Sequence, residues 1–298
     1  MPQSPAPTDR PRRATPRPVY DRSTVIPRSQ AAAHLWGDPE SGFVSDKVYV
    51  STDVLHVLQY TLPPGGRFVH SPTNPTVFAA DVTYTVLAGT LWVADPEHGE
   101  VRKVEQGQTL FYRKDTWHHA FNPSSEPVRV LEYFAPPPSR GTASTYAKQQ
   151  PMLKETRYDD HRWNGGWPER RDEHAKVSRL SVLGEESFRW RLRDDHARHV
   201  EGVLVDTDYL TVARGQVSPG HLSPELTAED ESVLFVTDGS LHVLLPDAPE
   251  GEQAWFPLAP GDAVFLTAGS NYRVVDQEGA GAAYWLGSAR PVPDGWKP

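Results

Sequence analysis

Thr83-Tyr-Thr-Val-Leu-Ala-Gly89-Thr-Leu-Trp-Val-Ala94 and Ser232-Val-Leu-Phe-Val-Thr-Asp-Gly239-Ser-Leu-His-Val-Leu-Leu245 carry one pattern at two places in the chain. Each is an apolar, β-rich run, a glycine, and a second apolar run. Read outward, the match continues. Pro64-Gly65 and Pro219-Gly220 precede the two stretches, and Gly107 and Gly261 follow them. Further short strands fill the gaps: Val54–Leu62, Gly107–Tyr112 and Val128–Phe134 in the first copy, and Asp208–Ala213, Gly261–Leu266 and Ala282–Leu286 in the second. Short runs punctuated by turn residues predict antiparallel barrels, and the repeated order predicts a duplication.

Composition supports this and excludes several alternatives. The 298 residues are 38% hydrophobic and 23% charged, a globular balance. The 29 prolines and 22 glycines favour many short strands over long helices. A net charge of −9 argues against a general nucleic-acid binder. With no cysteine, disulfides, thiolate metal sites and thiol nucleophiles are out, leaving His and carboxylates as metal ligands. No apolar run has the length of a membrane helix and no signal-peptide core opens the chain, so a cytoplasmic protein that meets neither membrane nor nucleic acid is expected. There is also no phosphate-cradling glycine loop and no nucleophile elbow.

The expected organisation has four parts. Residues 1–19, with six prolines and four arginines, read as a disordered arm. Residues 20–138 form a first barrel, 139–200 an irregular linker that packs through Trp163 and Trp167, and 201–298 a second barrel. Trp190 and Trp255 are expected to pack between linker and barrels. Exposed sheet edges allow for a homodimer.

The repeat resembles the cupin superfamily, and two copies resemble a bicupin: an all-β chain of two cupin-type antiparallel barrels (double-stranded β-helices). In the first copy the resemblance rests on Pro64-Gly65, His70, Asp81 and Thr85-Val-Leu-Ala-Gly89. It continues in Gly107-Gln-Thr-Leu-Phe-Tyr-Arg-Lys-Asp-Thr-Trp-His118-His-Ala-Phe-Asn122. The departures are a single His where the family has His-x-His, and Arg113 and Asp115 in place of a Pro and a Gly. The second copy keeps the framework but has His221 beside its turn, Glu231 in the place of Asp81, and Tyr272 in the place of the second-motif His. It is expected to have lost its metal site.

The resemblance implies a site inside the first barrel. An eight-stranded barrel leaves room for one small ligand or metal. His70, Asp81 and His118 are the expected metal ligands and catalytic residues, two imidazoles and one carboxylate. That set suits Fe(II) first, with Mn, Ni or Zn as alternatives. His56, Tyr84, Tyr112 and Asn122 are the expected substrate-binding residues. The implied function is a metal-dependent oxygenase, isomerase or lyase acting on a small organic molecule. The alternative is a metal-free or non-catalytic small-molecule bicupin, a sensor, cyclase or epimerase.

Overall fold

The computed structural model describes residues 14–163, 170–293 and 295–298. Most of the expected arm and Trp167 lie outside these residues, as does the side chain of Trp163. The regular elements are mostly strands, and every strand pairing among the described residues is antiparallel.

Each half folds as a seven-stranded sheet packed with a four-stranded sheet. In the first half the large sheet runs Ser181–Leu183, Thr109–Tyr112, Asp81–Ala88, Val128–Ala135, His56–Leu62, Gly42–Ser51, Ala32–Asp38. The small sheet runs Arg67–Phe68, His119–Phe121, Thr90–Asp95, Glu100–Glu105. The second half repeats this order, with Asp81–Ala88 answered by Glu231–Gly239 and Thr109–Tyr112 by Ala263–Leu266. The paired landmarks have a backbone cause. Gly65, Gly89 and Gly107, and their counterparts Gly220, Gly239 and Gly261, all turn with φ between 67° and 96°, a region other residues rarely enter.

Two short strands cross between the halves. Thr24–Ile26, from the stretch expected to open the first barrel, pairs with Ala263–Leu266 of the second. Ser181–Leu183, from the expected linker, pairs with Thr109–Tyr112 of the first. Each barrel thus receives a strand at the same edge.

Strand parity divides the core. Val128, Val130 and Phe134 of one strand face the interior of the first barrel, with Val82, Tyr84 and Val86 of its neighbour. Leu131, Tyr133 and Ala135 face the other way and join Phe235, Phe265 and Trp285 of the second barrel in a shared core. The strand is therefore buried on both faces, which is why Val128–Phe134 reads as a nearly continuous apolar run. Tyr133 closes this interface: its one hydroxyl hydrogen is shared between the carbonyls of Val233 (3.2 Å) and Trp285 (3.3 Å). Its ring lies where a Cβ on Gly287 would sit, 2.1 Å from ring carbon.

The second barrel is filled by its own side chains, among them Tyr272, Tyr284, Leu234 and Val264. The Tyr284 ring occupies the space over Gly215. Of the remaining tryptophans, Trp190 stacks on Phe188 at 5.1 Å and Trp255 donates to His242 Nδ1 at 2.7 Å; both stay partly exposed.

Candidate functional site

The first barrel encloses a cavity of about 250 Å³. Its walls are aromatic: Trp36, Tyr60, Phe68, Phe78, Tyr84 and Phe134 all border it. The rings meet edge to face, Tyr60 on Tyr84 at 5.3 Å and Trp36 on Phe68 at 5.8 Å, which fixes the walls in place. At the mouth lie Arg17, the last part of the expected arm, and Ser139 from the segment after the barrel. Arg17 is held there by Asp53 at 2.8 Å, while Pro18 accepts the backbone N–H of Ser51.

Two carboxyls and two imidazoles face this space: Asp46, Glu132, His56 and His118. Glu132 shares the inward parity of Val130 and Phe134, and it is 8% exposed. Burial, with the Asp46 carboxyl nearby, pushes its pKa up to about 8, so it keeps its proton at neutral pH. Asp46 lies inward between Val44 and Val48 and pairs with His34 Nδ1 at 3.0 Å. Burial moves the two histidines the opposite way, each down to about 4, so both are neutral.

The tautomer of His118 follows from its partners. Nδ1 faces the Thr116 carbonyl at 3.3 Å and must carry the hydrogen. Nε2 is then an acceptor, within 3.4 Å of the Tyr84 hydroxyl and 3.2 Å of that of Tyr112. Tyr112 donates to Tyr84 at 2.9 Å, which leaves the Tyr84 hydrogen for His118. The buried atoms His56 Nδ1, Tyr60 Oη and Thr76 Oγ1 border the same cavity with no protein partner. Buried polar atoms are ordinarily satisfied, so these mark where a bound molecule or water belongs.

The expected metal triad does not assemble. His118 faces the cavity, as its spacing predicts. His70 packs instead with the residues that alternate with His118. Its Nδ1 lies 2.7 Å from His119 Nε2, and its ring meets Trp117 edge to face at 5.2 Å. His119 also accepts the His70 backbone N–H, so its own Nδ1–H is directed to Tyr158 of the linker, 2.8 Å away. Asp81 is out of phase with the inward positions Val82, Tyr84 and Val86 and is held by Arg113 at 3.1 Å. His70 is turned to His119 from a loop, Asp81 is out of phase with its inward neighbours and His118 faces the cavity, so the three do not bring their donor atoms within 4.8 Å of one another. Among the described residues, the group of three whose donor atoms gather, within 4.8 Å of one another, is Asp95, Glu97 and His98. There Asp95 caps the turn through the N–H groups of Glu97 and His98.

The expected substrate-binding set also divides. His56 and Tyr84 border the cavity, and Tyr112 stands behind Tyr84. Asn122 is structural: its amide donates to the carbonyls of Leu62, Pro63 and Glu126, and its backbone bonds to Gly65 and Gly66. In the second barrel, His221 pairs with Asp194 at 2.8 Å, Glu231 accepts from Thr52 of the first barrel at 2.7 Å, and Tyr272 is core. These three do not share a pocket.

No family model matches the sequence, and no curated protein matches it. Solved structures do resemble it along nearly its whole length. A putative glyoxylate-induced protein from Pseudomonas aeruginosa matches with a TM-score of 0.64 at 16% identity, over 99% of this chain and 97% of its own. The 11S globulin of Wrightia tinctoria, described with an auxin binding site, matches at 0.61 and 12%, over 90% and 84%. Oxalate decarboxylase from Lactobacillus farciminis matches at 0.58 and 10%, over 94% and 88%. The chain has the bicupin fold. At these identities the likeness carries the bicupin architecture and not an activity.

Proposed function

We propose that this bicupin takes a small organic molecule into the first-barrel cavity and moves a proton on it, as an isomerase or lyase does. The observation that carries the reading is the position of Glu132. A proton-bearing carboxyl faces an aromatic cavity that also presents the acceptor pair Tyr84–His118 and the unpartnered His56 Nδ1. Groups whose surroundings push their pKa values apart are the signature of acid and base roles. In the empty cavity Glu132 carries a proton that it can exchange with a bound molecule, and His118 Nε2, already accepting the Tyr84 hydrogen, can take up a proton relayed through that hydroxyl. The volume suits a molecule about the size of one substituted ring.

A metal-dependent oxygenase reading requires His70, Asp81 and His118 on one ion. Their donor atoms do not gather within 4.8 Å of one another.

The test is exchange in heavy water. Candidate metabolites are incubated with the protein and followed by mass spectrometry for deuterium at carbon or for isomer formation. Turnover by the native protein that falls at least 100-fold in Glu132→Gln and in His118→Phe is expected. Full turnover by both variants overturns the assignment.

A further inference from the structure

The charges around the cavity point to the class of molecule it takes. We propose that the ligand of the first barrel is a small organic cation, an amine held as its ammonium between ring faces and the carboxyls of Glu132 and Asp46. This rests on the cavity being the binding site.

Two carboxyl groups face the space, on the strands Gly42–Ser51 and Val128–Ala135. Among the described residues that border it, the sole permanent cation is Arg17, half-exposed at the mouth and engaged by Asp53. His56 from the strand His56–Leu62 and His118 are buried neutral imidazoles, and His34 from the strand Ala32–Asp38 is committed to Asp46. Tyr60, Tyr84 and Tyr112 are held un-ionised by burial. The interior therefore offers an anion no compensating charge. An ammonium meets two carboxyls, the unpartnered Tyr60 oxygen, and the negative faces of Trp36, Tyr60 and Phe134.

Proton balance gives the proposal a quantitative consequence. The empty cavity holds a proton on Glu132, and an ammonium beside it favours the carboxylate. Binding therefore expels one proton to solvent and leaves Glu132 facing the ligand as a carboxylate able to accept a proton from it. Affinity should climb close to ten-fold per pH unit up to about pH 8 and level off above.

The experiment is isothermal titration of the full chain with benzylamine, benzyl alcohol and benzoate, near-isosteric probes of charge +1, 0 and −1. It is run from pH 6 to 8.5 in two buffers of different ionisation enthalpy. Expected are benzylamine binding at least ten-fold tighter than the other two, release of about one proton at pH 7, and loss of both features in Glu132→Gln. Asp46→Asn, tested alongside, weakens benzylamine and reduces its proton release only in part, because burial is the larger cause of the Glu132 shift. Benzoate or benzyl alcohol binding as well as benzylamine, or benzylamine binding without proton release, overturns the cation assignment and leaves the cavity as the site. If none of the three binds, and none protects Trp36 from fluorescence quenching, the cavity reading falls as well.

Discussion

Replacing Glu132 by Gln should make the protein more stable at alkaline pH, an unusual result for a candidate site residue. The amide matches the protonated carboxyl in shape and cannot ionise. A pKa raised from 4.5 to about 8 means the folded chain holds this proton over a range where the unfolded chain has released it. Stability from this group is fully present below pH 4.5, falls as pH rises through the window, and stops falling above about 8. At 1.36 kcal/mol per unit, the full window amounts to roughly 4–5 kcal/mol, an upper bound because water entering the cavity relieves part of it. Urea midpoints of both proteins, taken from pH 5 to 9, isolate the effect, since every other titrating group is common to the two. The difference should be small at pH 5 and grow in favour of Glu132→Gln towards pH 8. A difference that stays flat with pH would show that Glu132 is ionised or solvated in the empty folded protein, and its proton-transfer role would fall with it.

Acidification should act in the opposite direction through His56. With its pKa lowered to about 4 by burial, stability is lost as pH falls from 6.5 to 4, and His56→Leu should retain up to about 3 kcal/mol of it at pH 4 in the same urea assay. Gly287→Ala should drive a methyl group into the Tyr133 ring and cost about 1–3 kcal/mol, a fall in Tm of roughly 2–4 °C per kcal/mol; unchanged calorimetry would mean the barrels are not packed as described. His118→Ala should leave the metal content of the purified protein unchanged, because neither His70 nor Asp81 shares its position. A drop from one ion per chain to none on elemental analysis would restore the three-ligand site.

How far the sequence carries depends on what each signal encodes. The duplication was legible because six glycines must take positive φ at matched points of two barrels, a backbone demand that leaves a mark in the sequence. The inward setting of His118 was legible from the Gly107-to-Asn122 spacing. The failures concern parity and distance. His70 lies in an irregular loop after Arg67–Phe68, where no strand alternation predicts direction, and it turned to His119. Asp81 opens its strand one residue out of phase with Val82 and Tyr84, which face inward. Glu132 was missed although its signal was present: a lone acid in phase with Val130 and Phe134 inside an otherwise buried run. Asp46 between Val44 and Val48 is the same case. Its partner His34, and Trp36 of the wall, come from an edge strand whose position depends on long-range pairing that local sequence does not report. The exchange of Thr24–Ile26 and Ser181–Leu183 between the barrels is likewise a property of tertiary pairing.

The most direct measurement is a crystal structure of the protein with a molecule that it binds or turns over. The account predicts density inside the first barrel, against the rings of Trp36 and Phe134 and within hydrogen-bond reach of Glu132, with His56 Nδ1 or Tyr60 Oη satisfied by it. Density confined to the groove lined by Arg193, His221 and Arg273 in the second half, with the first cavity holding only water, would contradict it.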